Sequence, residues 1–268
     1  MQKQKRLVLL CSAWGGATLL GITGCTTVPV TGRHELNLVS ADQELQLGFS
    51  SFEQLKKDTP VSHDPQLNAL AQRVGQRIAA VAGKDLPNAQ WEFVVFDSKE
   101  ANAFCLPGGK VGIYTGILPI TKDDAGLATV LGHEIGHAVA HHGAARMSEA
   151  MIAQAGGQAL SSAMSNSKWQ SATTLAYGVG TQVGVELPYS RLQESEADHI
   201  GIVYMARAGY DPKEAVAFWQ RFAAFNQQQG ADSTPSFLRT HPVDNVRINQ
   251  LQQWLPEADT EFQKARAK

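Results

Sequence analysis

At 268 residues with 43% apolar composition, the chain is long enough to bury one sizeable core. Its 23 basic and 25 acidic side chains leave a formal net charge of -2, too weak a field to recruit nucleic acid or an anionic lipid surface. Nucleic acid is therefore not expected as a partner.

Residues 1–24 read as a signal peptide. Lys3, Lys5 and Arg6 precede an uncharged run, Leu7 to Thr23, which carries Gly15, Gly16 and Gly21 and is short for a membrane span. The alternative is an uncleaved anchor helix. The ending Ile22-Thr23-Gly24-Cys25 resembles the bacterial lipoprotein signal, which implies that Cys25 becomes the acylated N-terminus. Thr26 and Thr27, standing where Asp does not, are similar to Gram-negative lipoproteins sent to the outer membrane. With Cys11 lost and Cys25 acylated, only Cys105 of the three cysteines remains, so no internal disulfide can form. Cys105 sits in an apolar stretch and reads as a small buried hydrophobe, with a nucleophile as the alternative.

Residues 25–39 lack a helical period and contain Pro29 and Gly32, as expected of a tether; residues 40–268 form the domain. Ser40 with Gln43 matches a capping box, and Leu45, Phe49, Phe52 and Leu55 continue at helical spacing. Asp64 before Pro65 starts a second helix, with Leu67, Leu70, Val74, Ile78 and Val81 on one face. Aromatic and β-branched runs at 91–97 and 110–115, the second after Pro107-Gly108-Gly109, predict a small antiparallel sheet. Thr121 can cap the next helix, whose Asp123 and Asp124 suit its positive end. Residues 147–188, rich in Ala, Gly, Ser and Gln, should form two helices separated near 166–169. Further helices are expected from about Arg191, from Pro212 to about Phe225, and after His241-Pro242.

The third predicted helix carries His133-Glu134-Ile135-Gly136-His137, an HExxH match. At about 100° per residue the two histidines lie roughly 40° apart, so both imidazoles can reach one ion, while Glu134 projects beside them toward a metal-bound water. The best third ligand is Glu194, in Ser190-Arg191-Leu192-Gln193-Glu194-Ser195-Glu196-Ala197-Asp198, with a solvated acidic face as the bland alternative. Asp198, one turn on, can accept the free N–H of a ligating histidine. Glu196 points elsewhere. His141 and His142 are expected to interact with the C-terminal dipole of the helix.

HExxH followed much later by Ser-Arg-x-x-Glu-x-x-Ala-Asp resembles the gluzincin peptidases of the HtpX, CaaX prenyl protease and Oma type, above all their soluble, lipoprotein-anchored bacterial members. Asn102-Ala103-Phe104, Pro107-Gly108-Gly109-Lys110-Val111, the Arg146 and His142 neighbourhood, and Thr240-His241-Pro242 with Arg247-Ile248 extend the likeness over nearly the whole mature chain. It implies an α+β zincin-like fold, mostly helical with the small antiparallel sheet beside the HExxH helix, and zinc-dependent endopeptidase activity with one Zn2+ per chain. By the same resemblance His241 stabilises the oxyanion, and Asn102, Ala103 and Phe104 lie on the edge strand that pairs with substrate. Transmembrane helices of some relatives have no counterpart after Cys25. The expected partners are protein or peptide substrates, with misfolded envelope proteins among the candidates, and the membrane, to which the N-terminal lipid anchors the chain in the cell envelope at the periplasmic face of the outer membrane. The main rival is a periplasmic chaperone or assembly factor that keeps the zinc scaffold without turnover; complementation by Glu134→Gln separates the two.

Overall fold

The computed structural model describes residues 25–165, 167–182, 187–229 and 235–267. The leader, residues 1–24, lies outside the described residues. The segment expected as a tether is instead folded: strand β1 (Cys25–Thr27) pairs antiparallel with β2 (His34–Leu36). The turn between them closes through Val28 N–H to Arg33 O at 2.8 Å, and Val28 is buried in the core. Burying that one side chain draws the hairpin onto the domain.

Helix α1 (Ala41–Asp58) begins where the capping box places it, with Gln43 N–H donating to Ser40 Oγ at 3.3 Å and Ser40 N–H to Gln43 Oε1 at 3.1 Å. Helix α2 (Pro65–Ala82) begins at Asp64, whose Oδ1 accepts from Gln66 and Leu67 N–H. Val74 and Ile78 are fully buried, as the helical spacing requires.

The sheet is small but mixed. Its strands β3 (Glu92–Phe96), β4 (Ala103–Leu106) and β5 (Lys110–Tyr114) lie in the order β3-β5-β4. The β4–β5 hairpin is antiparallel, and turns at Gly108 and Gly109, both at positive φ. The expected antiparallel pairing of the two aromatic runs is corrected: β3 and β5 run parallel, with Glu92 opposite Lys110 and Phe96 opposite Tyr114. The reason is burial. Val111, Gly112, Ile113 and Tyr114 are all buried, so β5 takes the centre, and the hairpin partner β4 already occupies one of its edges.

A 3-10 turn (Thr115–Ile117) and α3 (Leu118–Thr121) lead to α4 (Asp124–Val139). Thr121 does not cap α4; its hydroxyl donates to Leu118 O, and Asp123 caps instead, accepting from Ala125 and Gly126 N–H at 3.0 Å. A carboxylate at the dipole's positive end outcompetes a hydroxyl already bonded within its own turn. From Gly126 to Val139 every residue of α4 is buried, so this helix is the axis of the molecule. Helices α5 (His142–Ala163) and α6 (Gln170–Thr181) form an outlying hairpin. Helix α7 (Leu187–Arg207) packs along α4, and α8 (Lys213–Gln229), α9 (Ser236–Thr240) and α10 (Asn245–Arg266) close the core around them. The mostly helical α+β architecture expected from the sequence is the observed one. Among the described residues no helix is long and apolar enough to cross a membrane.

Candidate metal centre

The centre is set by how closely two helices approach. A Cβ added at Gly132 would stand 2.7 Å from Gly201 O, and one at Gly201 would stand 2.8 Å from His133 N. Contacts that short are never made by real Cβ atoms, so only glycine lets α4 and α7 touch backbone to backbone. That approach brings His133 and His137 on α4 against Glu194 and Asp198 on α7.

His133 Nε2 and His137 Nε2 lie 3.1 Å apart, and the Glu194 carboxylate spans them, Oε1 3.2 Å from His137 Nε2 and Oε2 3.4 Å from His133 Nε2. Ligands held about 2.0–2.1 Å from one tetrahedral ion stand about 3.3–3.4 Å from each other, so the three residues fit such an ion. The chemistry agrees. Asp198 Oδ1 stands 2.9 Å from His133 Nδ1, which places the His133 proton there and leaves Nε2 a lone pair facing other acceptors. Lone pairs and carboxylate oxygens converging on one point ask for a cation.

The side chains of the cluster hold their protons very differently. Burial disfavours charge on His133, but Asp198 and Glu194 together push its imidazole up to about 9. Burial holds His137 well below the usual range. Burial alone would raise Glu194, yet its hydrogen bonds to His133, His137 and His241 carry it far below an ordinary carboxylate. Glu134 goes the other way: burial raises its carboxyl, only partly offset by the neighbouring imidazoles of His241 and His133. Its Oε1 is buried without a hydrogen bond and faces His241 Nε2 at 3.5 Å. A carboxyl of raised pKa, beside the donors but not among them, is suited to proton transfer.

His241, after α9, comes closer than expected of a group on the far side of a substrate. Its Nδ1 lies 2.8 Å from Glu194 Oε2 and 3.2 Å from His133 Nε2, so His133, His137, Glu194 and His241 form one donor cluster. Arg247 on α10 locks the centre from behind, pairing with Asp198 at 2.7 Å and stacking 3.4 Å above the Trp219 ring. The sequence offered Arg247 only as part of a resemblance and assigned it no role.

Two further residues take other roles than expected. His141 and His142 do not sit on the dipole of α4: His141 has φ 54 and starts the next helix, bonding Glu44 at 2.8 Å. His142, fully buried, stands 2.7 Å from His137 Nδ1 and 3.0 Å from Glu196 Oε2. Glu196 does point away from the donor cluster, as expected, but into this second layer. The usable signal was a glutamate on a buried helix face: an acid with no solvent needs a partner.

The residues expected at the substrate edge lie in and beside β4, the edge strand next to α4. Ala103 and Phe104 pair with Ile113 and Gly112 of β5, and Asn102 O accepts from Tyr114 N–H. Among the described residues no strand pairs with the other side of β4. The Phe104 ring turns inward, edge-on to Phe52 and Tyr114. Cys105 packs against the core, and burial, with the nearby Glu134 charge, drives its thiol far up, away from the thiolate a nucleophile needs.

The profile of peptidase family M48 matches residues 65–255. The chain is 33% identical to the mitochondrial metalloendopeptidase OMA1 of Saccharomyces cerevisiae, over 98% of this chain and 77% of that protein. It is 35% identical to the OMA1 metalloendopeptidase of Schizosaccharomyces pombe, over 86% of this chain and 66% of that protein. To the beta-barrel assembly-enhancing protease of Escherichia coli it is 27% identical, over 90% of this chain and 51% of that protein.

Proposed function

The chain belongs to peptidase family M48 and is a metalloendopeptidase, and on that premise we propose that it is a zinc enzyme of the bacterial cell envelope acting in protein quality control. The observation that carries the metal reading is the spacing of His133, His137 and Glu194, which matches the edges of a zinc tetrahedron. Zinc, when bound, supplies Lewis-acid polarisation of the scissile carbonyl and acidifies a water toward a pKa of about 7.

The chain's own groups do the rest. Glu134, kept less acidic by burial, takes the proton of the attacking water and passes it to the departing nitrogen, so water adds across the peptide bond and two chains leave. Asp198 holds the His133 ring with Nε2 free, and Arg247 holds Asp198. Asn102, Ala103 and Phe104 belong to the strand edge on which an extended substrate pairs through its main chain, which needs no particular sequence. His241 donates to the oxyanion formed on the attacked carbonyl.

A second reading of His241 has a specific observation behind it, because its Nδ1 already lies inside the donor cluster. There it would hold the ion in place of a water, and the centre would stay closed until His241 withdraws. His241→Ala separates the two: a donor's loss lowers turnover by about a hundredfold or more, whereas removing a closing ligand raises it.

Residues 1–24 as leader and Cys25 as the acylated residue support a lipid-anchored domain at the periplasmic face of the outer membrane; Cys25→Ser is expected to move it from the membrane to the soluble fraction. The decisive assay uses protein lacking residues 1–25. It should cleave casein, lose activity to a chelator and carry one zinc. Glu134→Gln should keep that zinc and lose activity by at least about a hundredfold. Retained cleavage refutes the role of Glu134, and a wild-type chain free of zinc refutes the metal.

A further inference from the structure

His137 can offer its Nε2 lone pair to a cation only as the Nδ1–H tautomer, and that N–H lies 2.7 Å from His142 Nδ1. His142 Nδ1 must then be the acceptor. A neutral His142 carries its proton on Nε2, 3.0 Å from Glu196 Oε2. The direction of the chain is thereby forced: Glu196 accepts from His142, and His142 accepts from His137. His142 is 0% and Glu196 5% exposed, so solvent cannot substitute for either link.

Glu196 is held in turn by the N-terminal hairpin. Arg33 Nε donates to Glu196 Oε2 at 2.8 Å, Thr31 Oγ1 donates to Oε1, and Arg33 Nη2 also pairs with the buried Glu35 at 2.9 Å. The hairpin begins at Cys25 and lies wholly before the residues matched by the family profile, 65–255.

We propose that His142 and Glu196 are positioning residues for His137, and that Thr31 and Arg33 complete their support, making the N-terminal hairpin a working part of the metal centre. This rests on His137 being a metal ligand. The two ligating imidazoles are then supported alike, His133 by Asp198 directly and His137 by Glu196 through an interposed imidazole. A ligand whose second ring nitrogen donates to an acceptor is fixed in orientation and made more basic, which strengthens its hold on a metal. Disturbing residues beside the anchoring cysteine should therefore loosen the ion.

The test is zinc affinity of the detergent-solubilised full-length chain, measured by chelator competition, with the His137 ring tautomer read from 15N chemical shifts. His142→Leu should weaken zinc by about 10–100-fold and Arg33→Ala by up to about tenfold. His142→Asn, which keeps an acceptor near the Nδ1 position, should recover most of the loss and retain the Nδ1–H form of His137. Arg33→Ala added to His142→Leu should cost nothing further, because both act through one chain of bonds. A folded His142→Leu protein that binds zinc within about twofold of wild type overturns the proposal. Additive losses overturn the part assigned to the hairpin. If His142→Leu does not fold, the Asn and Arg33→Ala variants decide. A wild-type chain that takes up no zinc overturns the metal reading and this one with it.

Discussion

Two helical regions of this molecule share a composition and differ in everything else. Helix α4 and the α5–α6 hairpin are both rich in alanine and glycine, yet α4 is buried along nearly its whole length and α6 has no buried residue at all. Leu175 is 70% and Val179 53% exposed. At Gly132 and Gly201 another backbone occupies the space a Cβ would need, whereas Gly178 and Gly180 face open space. Small residues make a helix approachable; whether anything approaches depends on the rest of the fold. In α4–α7 the approach builds the candidate metal centre, whereas nothing approaches the outer face of α6 and its apolar side chains stay in solvent.

The hardest test of that contrast is a pair of identical substitutions. Gly201→Ala should cost about 1–3 kcal/mol or more, because its methyl meets the His133 backbone, which no rotamer change can move. Zinc affinity should fall with it. Gly178→Ala, inside α6 with nothing nearby, should instead stabilise by about 0.5–1 kcal/mol. Thermal melts check both signs, and a stable Gly201→Ala protein would break the comparison.

Acid provides the next contrast. Burial would raise Glu196, but His142, Arg33 and Thr31 pull it down from 4.5 to about 2. A carboxyl depressed in the folded state contributes stability that is complete above its unfolded value and is lost as pH falls toward the folded one. Between about pH 4.5 and 2, then, Glu196→Gln should flatten the fall in stability seen in denaturant melts of the wild type. Helix α6 has no carboxylate and should add nothing to that slope. The smallest effect is expected for Leu175→Ser, which should change stability by no more than about 0.5 kcal/mol, since the side chain is already in water.

Much of this was readable along the chain. The Ser40–Gln43 box and the Asp64–Pro65 start are bonds made within a single turn, and both helices begin there. The separation of α5 from α6 also falls in the expected place. Strand direction was not readable: β3 and β5 are parallel because β5 is covered on both sides and β4 returns onto one of its edges. Nor could Thr121 be ranked below Asp123 as a cap, since its hydroxyl is spent on Leu118.

For the centre itself, helical spacing sets His133 beside His137 and Glu194 beside Asp198 regardless of the rest of the molecule, because a turn of helix has one geometry. The meeting of those two pairs is a tertiary event, enforced where glycine lets the helices touch. The same holds for the support behind them: His142 reaches Glu196 across 54 residues, and Arg33 reaches it across 163. No periodicity extends over such separations, so only the packed core could say which acid satisfies which imidazole, since once water is excluded each buried polar group must find its partner in the protein.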